Sequence, residues 1–331
     1  MGSRVRRVAL GLAAAVFAAA NALAAAHAHR MLVFQPGAPP APAGAEAVAA
    51  LPPAARLRLL LTGVPLPRPT LGRQPDALGL SFETVRFAAR DGTALEAWWL
   101  PSAGPPRGAV VLLHGYRGAR DQLLEVAQHL LGRGWACLLV DTRGAGGSAG
   151  TRTSLGWHEA QDGAAAVTYA AGRAPGAPVV LYGFSMGGAA ALGAVAREGA
   201  PAAGVIAEGT FSTLLRTVER RFTMMGAPAW PGAPLLVAWG GVWTRSNAFA
   251  HRPVDDAARI DVPMLFLHGE ADFSGPPEDG ADFAAAAGSR GTLVVLPRTP
   301  HTPGVLVRPA EWATAVDRLL GGVLLAGAPP P

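Results

Sequence analysis

Two glycines flank a serine at a distance of two residues in Gly183-Phe184-Ser185-Met186-Gly187, which follows an apolar run, Pro178 to Leu181, and precedes an alanine-rich stretch with helical spacing. This is the pattern of a nucleophile elbow. A serine on a sharp strand-to-helix turn takes up a strained backbone, and the turn closes only if the residues two away on each side are small. The chemistry it predicts is nucleophilic attack by the Ser185 hydroxyl. Among 42 glycines in 331 residues the motif alone also fits an ordinary turn, so the reading rests on the strand and helix beside it.

A serine nucleophile needs a base, and the base needs an acid to orient it. Asp272 lies beyond the apolar run Val262 to Leu267, and His301 beyond the run Thr292 to Leu296. Ser, acid and His thus occur in that order, each just past a predicted strand. Glu208 follows a strand-like run, Gly204 to Ala207, and is a second candidate for the acid. His114 and His268 sit at strand ends and read as hydrogen-bonded packing residues that shape loops.

Five blocks carry a family resemblance: His114-Gly115, the segment Asp141 to Ser148, the elbow, Glu208-Gly209-Thr210-Phe211-Ser212, and His268-Gly269-Glu270-Ala271-Asp272. Over residues 82 to 320 the chain resembles an α/β-hydrolase of the serine aminopeptidase-like and Bem46-like branch. The resemblance implies an α/β-hydrolase fold with a mostly parallel twisted sheet and helices on both faces. It implies hydrolysis of carboxylic esters, lipids or amides through Ser185, Asp272 and His301, with no metal and no organic cofactor. In that fold the oxyanion is held by two backbone amides, here those of Met186 and Tyr116. Asp141 resembles a residue that holds the Arg143-Gly144 loop. Two stretches depart from the family pattern: Pro300 and Pro303 flank the histidine, and Phe273 to Pro277 after the acid is short and proline-rich.

Other chemistries are excluded on composition. All 28 residues of the Lys+Arg count are arginines. Without lysine there is no P-loop, no pyridoxal Schiff base and no Ser-x-x-Lys acyl enzyme. The Gly144 to Gly150 stretch lacks the acidic residue after a following strand that would hold a ribose. One cysteine, Cys137, and scattered histidines give no zinc spacing. Residues 1 to 30 hold four arginines and no acid, so of the formal +5 only +1 remains for the body. No basic stripe interleaved with aromatics supports nucleic-acid binding.

Arg4, Arg6 and Arg7 precede nineteen uncharged residues, Val8 to Ala26, which as a helix span roughly 28 Å, near the thickness of a bilayer's hydrocarbon core. Residues 1–30 therefore read as a signal anchor or a signal peptide. The apolar length favours the anchor, while Ala26-His27-Ala28 offers a small-x-small cleavage site. Either way the arginines predict an amino terminus inside and a catalytic domain outside the cytoplasm. Residues 31–80, rich in Pro and Ala, read as a tether with a short helix near Arg56. Residues 81–322 read as the catalytic domain, opening with a hairpin about Asp91-Gly92, and residues 323–331 as a flexible tail. Helical patterns fall near 121–132, 159–171, 186–198, 276–287 and 309–320, alternating with strands.

The 54 residues from Glu208 to Asp261 are more than one crossover helix needs. They predict a small cap insertion over about 212–258. Phe222, Met224, Met225, Trp230, Leu235, Leu236, Trp239, Val242, Trp243 and Phe249 give it apolar surface, either to line an acyl pocket or to pack the cap. The sequence thus points to a serine hydrolase acting on an ester or amide with an apolar acyl group. A non-catalytic relative that binds a ligand, or an acyltransferase with the same triad, are the alternatives.

Overall fold

Among the described residues, runs of five to seven residues, alternating in the opening hairpin and mainly apolar after it, become eight strands of one sheet. The computed structural model of the protein describes residues 2–35, 37–38, 50–63, 65–224 and 226–326. They form two units, one of residues 68–217 and 251–331, the other of residues 1–67 and 218–250.

The larger unit contains the sheet. Strands β1 (Glu83–Ala88) and β2 (Ala94–Leu100) form the expected antiparallel hairpin, with Gly92 at φ 84° and the Thr93 amide donating to Asp91 Oδ1 at 3.1 Å. β2 runs antiparallel to β4 (Ala136–Val140). Beyond it β3 (Ala109–Leu113), β5 (Val179–Phe184), β6 (Gly204–Glu208), β7 (Met264–Gly269) and β8 (Gly291–Leu296) continue in parallel. The strand order is β1-β2-β4-β3-β5-β6-β7-β8. β3 to β7 are buried along their whole length, as parallel strands covered on both faces must be.

Successive strand residues feed opposite apolar layers. Val111, Leu138, Leu181 and Val205 face one layer, with Ala166 of α4 (Glu159–Arg173) and Ala190 of α5 (Met186–Ala196). Val110, Leu139, Val180 and Ile206 face the other, with Leu130 of α3 (Leu124–Gly132) and Trp312 of α10 (Pro309–Ala326). Helices α8 (Pro253–Ala258) and α9 (Pro277–Ala287) complete the cover.

Composition misled at both ends of this unit. Residues 68–80, expected in the tether, lie on the body: Arg68 donates to the carbonyls of Gly146, Ser148 and Gly150, and Leu71, Leu78 and Leu80 pack against the core. At the carboxyl end α10 runs to Ala326, so only residues 327–331 of the expected tail lie outside the described residues.

The smaller unit begins with α1 (Gly2–Leu32). α2 (Pro53–Thr62) is the short helix expected near Arg56, and a bridge between Phe34 and Leu66 ties the two segments. Of the predicted cap, α6 (Leu214–Met224) and α7 (Gly232–Thr244) are helical. Its apolar residues do not form one set. Trp239 and Trp243 donate their indole N–H groups to α1, whereas Met224, Trp230, Val242 and Phe249 are exposed; Met225 lies outside the described residues.

Candidate active site

The turn after β5 has the geometry the sequence predicts for an elbow. Ser185 sits at φ 54°, ψ −115°, a conformation L-residues rarely adopt, and α5 starts at the next residue. The glycines are required by contact distance. A Cβ on Gly183 would lie 2.1 Å from the Gly187 carbonyl oxygen, and one on Gly187 would lie 2.0 Å from the carbonyl oxygen of Leu113 at the end of β3. The Ser185 amide donates to the Glu208 carbonyl at 2.7 Å, which fixes the elbow to β6.

Asp272 stands three residues past the end of β7 and His301 five past the end of β8. Both meet the serine: His301 Nδ1 is 2.8 Å from Asp272 Oδ2, and His301 Nε2 is 2.9 Å from Ser185 Oγ. A carboxylate only accepts, so Nδ1 carries the imidazole proton and Nε2 is left to accept from the hydroxyl. The other carboxylate oxygen of Asp272 accepts the amides of Ser274 at 2.8 Å and Gly275 at 2.9 Å. The proline-rich stretch that departs from the family pattern is thus the loop that anchors the aspartate. The Asp272 side chain is buried, while that of His301 is 31% exposed, leaving the imidazole in reach of solvent.

Glu208 is elsewhere engaged. Its carboxylate accepts from the Tyr182 hydroxyl, the indole N–H of Trp312 at 3.2 Å and the amide of Gly304. Full burial pushes its pKa up to about 7 against the pull of these three donors. The geometry therefore brings Asp272, not Glu208, to the imidazole, and gives Glu208 a hold on the loop three residues beyond His301. No signal in the sequence pointed to that role, because Tyr182 and Trp312 read as core residues and Gly304 as a loop glycine.

The two remaining strand-end histidines brace loops. His114 Nδ1 donates to the Gly115 carbonyl at 2.8 Å and its Nε2 accepts from the Thr142 amide at 3.1 Å. His268 Nδ1 donates to the Gly275 carbonyl at 2.8 Å, on the loop that holds Asp272. Burial lowers the pKa of both and keeps them neutral. His251 is buried too, its pKa pushed down to about 4, with Nε2 at 2.9 Å from the Leu155 carbonyl.

On the side where the sequence places the oxyanion donors, β3 and β5 are paired in parallel with Leu113 opposite Gly183, so the turn after β3 reaches the elbow. A Cβ on Gly115 would touch the Ser185 Cβ at 3.4 Å, which places Gly115, the residue before Tyr116, beside the serine. Met186 is the first residue of α5, where N–H groups have no intrahelical acceptor. Asp141 holds the surrounding loops: it accepts from the Arg120 amide at 2.8 Å and the Gly147 amide at 2.9 Å, and pairs with the buried Arg120 guanidinium at 3.1 Å. Arg120 also binds Glu96 at 2.8 Å and lies over Trp98. Arg143 binds Asp162, whose carboxyl burial raises to about 6. Neither Arg120 nor Asp162 was singled out by sequence; an arginine in a loop gives no sign that it will be buried.

A mostly parallel eight-stranded sheet with this elbow and this strand order is the α/β-hydrolase fold. Residues 104–238 match the family model of the serine aminopeptidases, S33, and the chain as a whole has the fold of the α/β-hydrolases. It is 27% identical to the uncharacterized protein Rv2307c of Mycobacterium tuberculosis over 265 residues, covering 78% of this chain and 87% of that one. It is 28% identical to the uncharacterized protein YfhR of Escherichia coli over 230 residues, covering 67% and 74% respectively. Among solved structures it is similar to the Pyrococcus furiosus esterase Pf2001, with TM-score 0.64 and 23% identity over 77% of this chain and 96% of that one. The Bem46-like branch is not singled out by these matches.

Proposed function

We propose that the protein is a serine hydrolase that cleaves a carboxylic ester or amide through an acyl-Ser185 intermediate. The observation that carries this reading is the unbroken chain from Ser185 Oγ through His301 to Asp272, at 2.9 and 2.8 Å. In the proposed reaction His301 Nε2 takes the hydroxyl proton as Ser185 attacks the carbonyl carbon, and returns it to the leaving group. Asp272, locked by two backbone amides, holds the ring and stabilises its positive charge. The amides of Met186 and Tyr116 stabilise the oxyanion, each worth about 3 kcal/mol of barrier. Water activated by the same imidazole then releases the acid. No step calls for a metal or an organic cofactor.

An ester is the preferred bond, in keeping with the Pyrococcus furiosus relative described as an esterase, and the apolar composition of the insertion favours an apolar acyl group. We place the domain outside the cytoplasm on an uncleaved α1, whose residues 4–32 are long and apolar enough to cross a membrane. A fluorophosphonate probe tests the chemistry. The wild type labels, Ser185→Ala does not, and turnover of a short p-nitrophenyl ester falls on the order of a million-fold. Equal labelling of the two chains, or none in a folded wild type, refutes the assignment.

A further inference from the structure

α1 changes character part way along. Residues 4–19 are exposed on every side, with Val5, Val8, Leu10, Leu12, Val16 and Phe17 each 60% exposed or more. From residue 20 one face is covered: Ala28 and Leu32 are buried, and α7 lies alongside. Trp239 Nε1 donates to Asn21 Oδ1 at 3.2 Å, Trp243 Nε1 donates to the Ala25 carbonyl at 2.9 Å, and the Trp243 indole stands edge-on to His29. The Asn21 amide nitrogen donates to the Phe17 carbonyl at 2.9 Å. The one polar side chain in the apolar stretch is therefore satisfied within this pair of helices, as hydrocarbon surroundings demand.

Length then decides where the pair lies. The uncharged part of α1 that precedes its contact with α7, Val8 to Ala20, spans roughly 20 Å, whereas a hydrocarbon core is about 30 Å thick. A helix that crosses must bring the first turns of the α1–α7 contact into the bilayer with it. α7 suits that position. It holds no charged residue from Gly232 to Thr244, its Thr244 hydroxyl is bonded to the Gly240 carbonyl at 2.8 Å, and its indole N–H groups are taken up by α1. Its outward face carries Ala238 and Val242, four residues apart, with Arg245 one turn further at the helix end. Trp230, just before α7, is 78% exposed.

We propose that α7 and the turn at Trp230 lie in the outer leaflet of the bilayer that α1 crosses, so that the insertion makes its own contact with lipid. This rests on the reading of α1 as a retained span. Cleavage after Ala28 would strip Asn21 and Ala25 from the two indoles, so the leader is also a structural part of the insertion.

The experiment uses the full chain in phosphatidylethanolamine–phosphatidylglycerol vesicles, with bimane on Val242→Cys or, as a second position, Ala238→Cys. Asp261→Cys, on a side chain 94% exposed, serves as the aqueous control, and Cys137 is buried. Nitroxide-bearing lipid quenches the labels at 238 and 242 several-fold more than aqueous iodide does, and the control shows the reverse. Labels at 238 and 242 that follow iodide, or that are shielded from both quenchers by protein, overturn the proposal. If the chain still begins before Val8 and resists alkaline carbonate, only this proposal falls. A chain that begins after Ala28 and washes free refutes the anchor reading as well.

Discussion

Replacing Glu208 by glutamine separates the structural carboxyl from the proposed catalytic one. In the native state burial holds the Glu208 pKa at about 7, above the 4.5 of an unperturbed glutamate. A folded-state pKa above the unfolded one means that folding takes up a proton. The stabilisation is complete below about pH 4.5 and is lost as pH rises through 7. The shift is worth about 3 kcal/mol, since one pKa unit corresponds to ~1.4 kcal/mol. Glutamine has nearly the same shape and never ionises. Urea unfolding of the full chain in mild detergent, followed by tryptophan fluorescence, compares the two proteins. Near pH 5 their stabilities are close; by about pH 8 wild type has lost about 3 kcal/mol relative to Glu208→Gln. Groups common to both chains cancel in the difference. Parallel stability curves would refute the argument, because they mean that Glu208 does not take up a proton on folding. The same variant keeps the Asp272–His301 contact, so its turnover falls far less than the roughly ten-thousand-fold expected for Asp272→Asn.

Three more substitutions test the site and the residues around it. His301→Ala removes esterase activity with little change in unfolding midpoint, whereas His268→Ala lowers the midpoint and leaves residual turnover, because His268 braces the loop that carries Asp272; the opposite pattern would reassign the base. Arg120→Met leaves the buried Asp141 without its cation and costs about 3–5 kcal/mol in urea unfolding.

The parts of this molecule that were legible in sequence are those set by neighbours along the chain. The elbow declared itself because Gly183 and Gly187 are needed within four residues of each other, and the hairpin because Asp91-Gly92 turns between two alternating runs. The order of Ser185, Asp272 and His301 was legible because each follows its own apolar strand. What stayed hidden depends on partners far apart. Glu208 meets Trp312 across 104 residues, and Arg68 reaches carbonyls 78 to 82 residues away. The proline-rich stretch 68–80 was misread for the same reason: composition describes the local chain, whereas the carbonyls that hold Arg68 belong to a distant turn. Trp239 and Trp243 likewise find their acceptors 218 residues upstream, so the insertion could be recognised as apolar but not matched to the helix it packs against.

The backbone at position 185 sets folding and chemistry against each other. A side chain held at φ 54° costs on the order of 1–3 kcal/mol, and alanine inherits that cost in full. Glycine does not, so Ser185→Gly yields a chain that is inert yet melts later than both Ser185→Ala and wild type. A population screened only for yield would drift toward that glycine; a residue there for packing alone would have no reason to resist the drift.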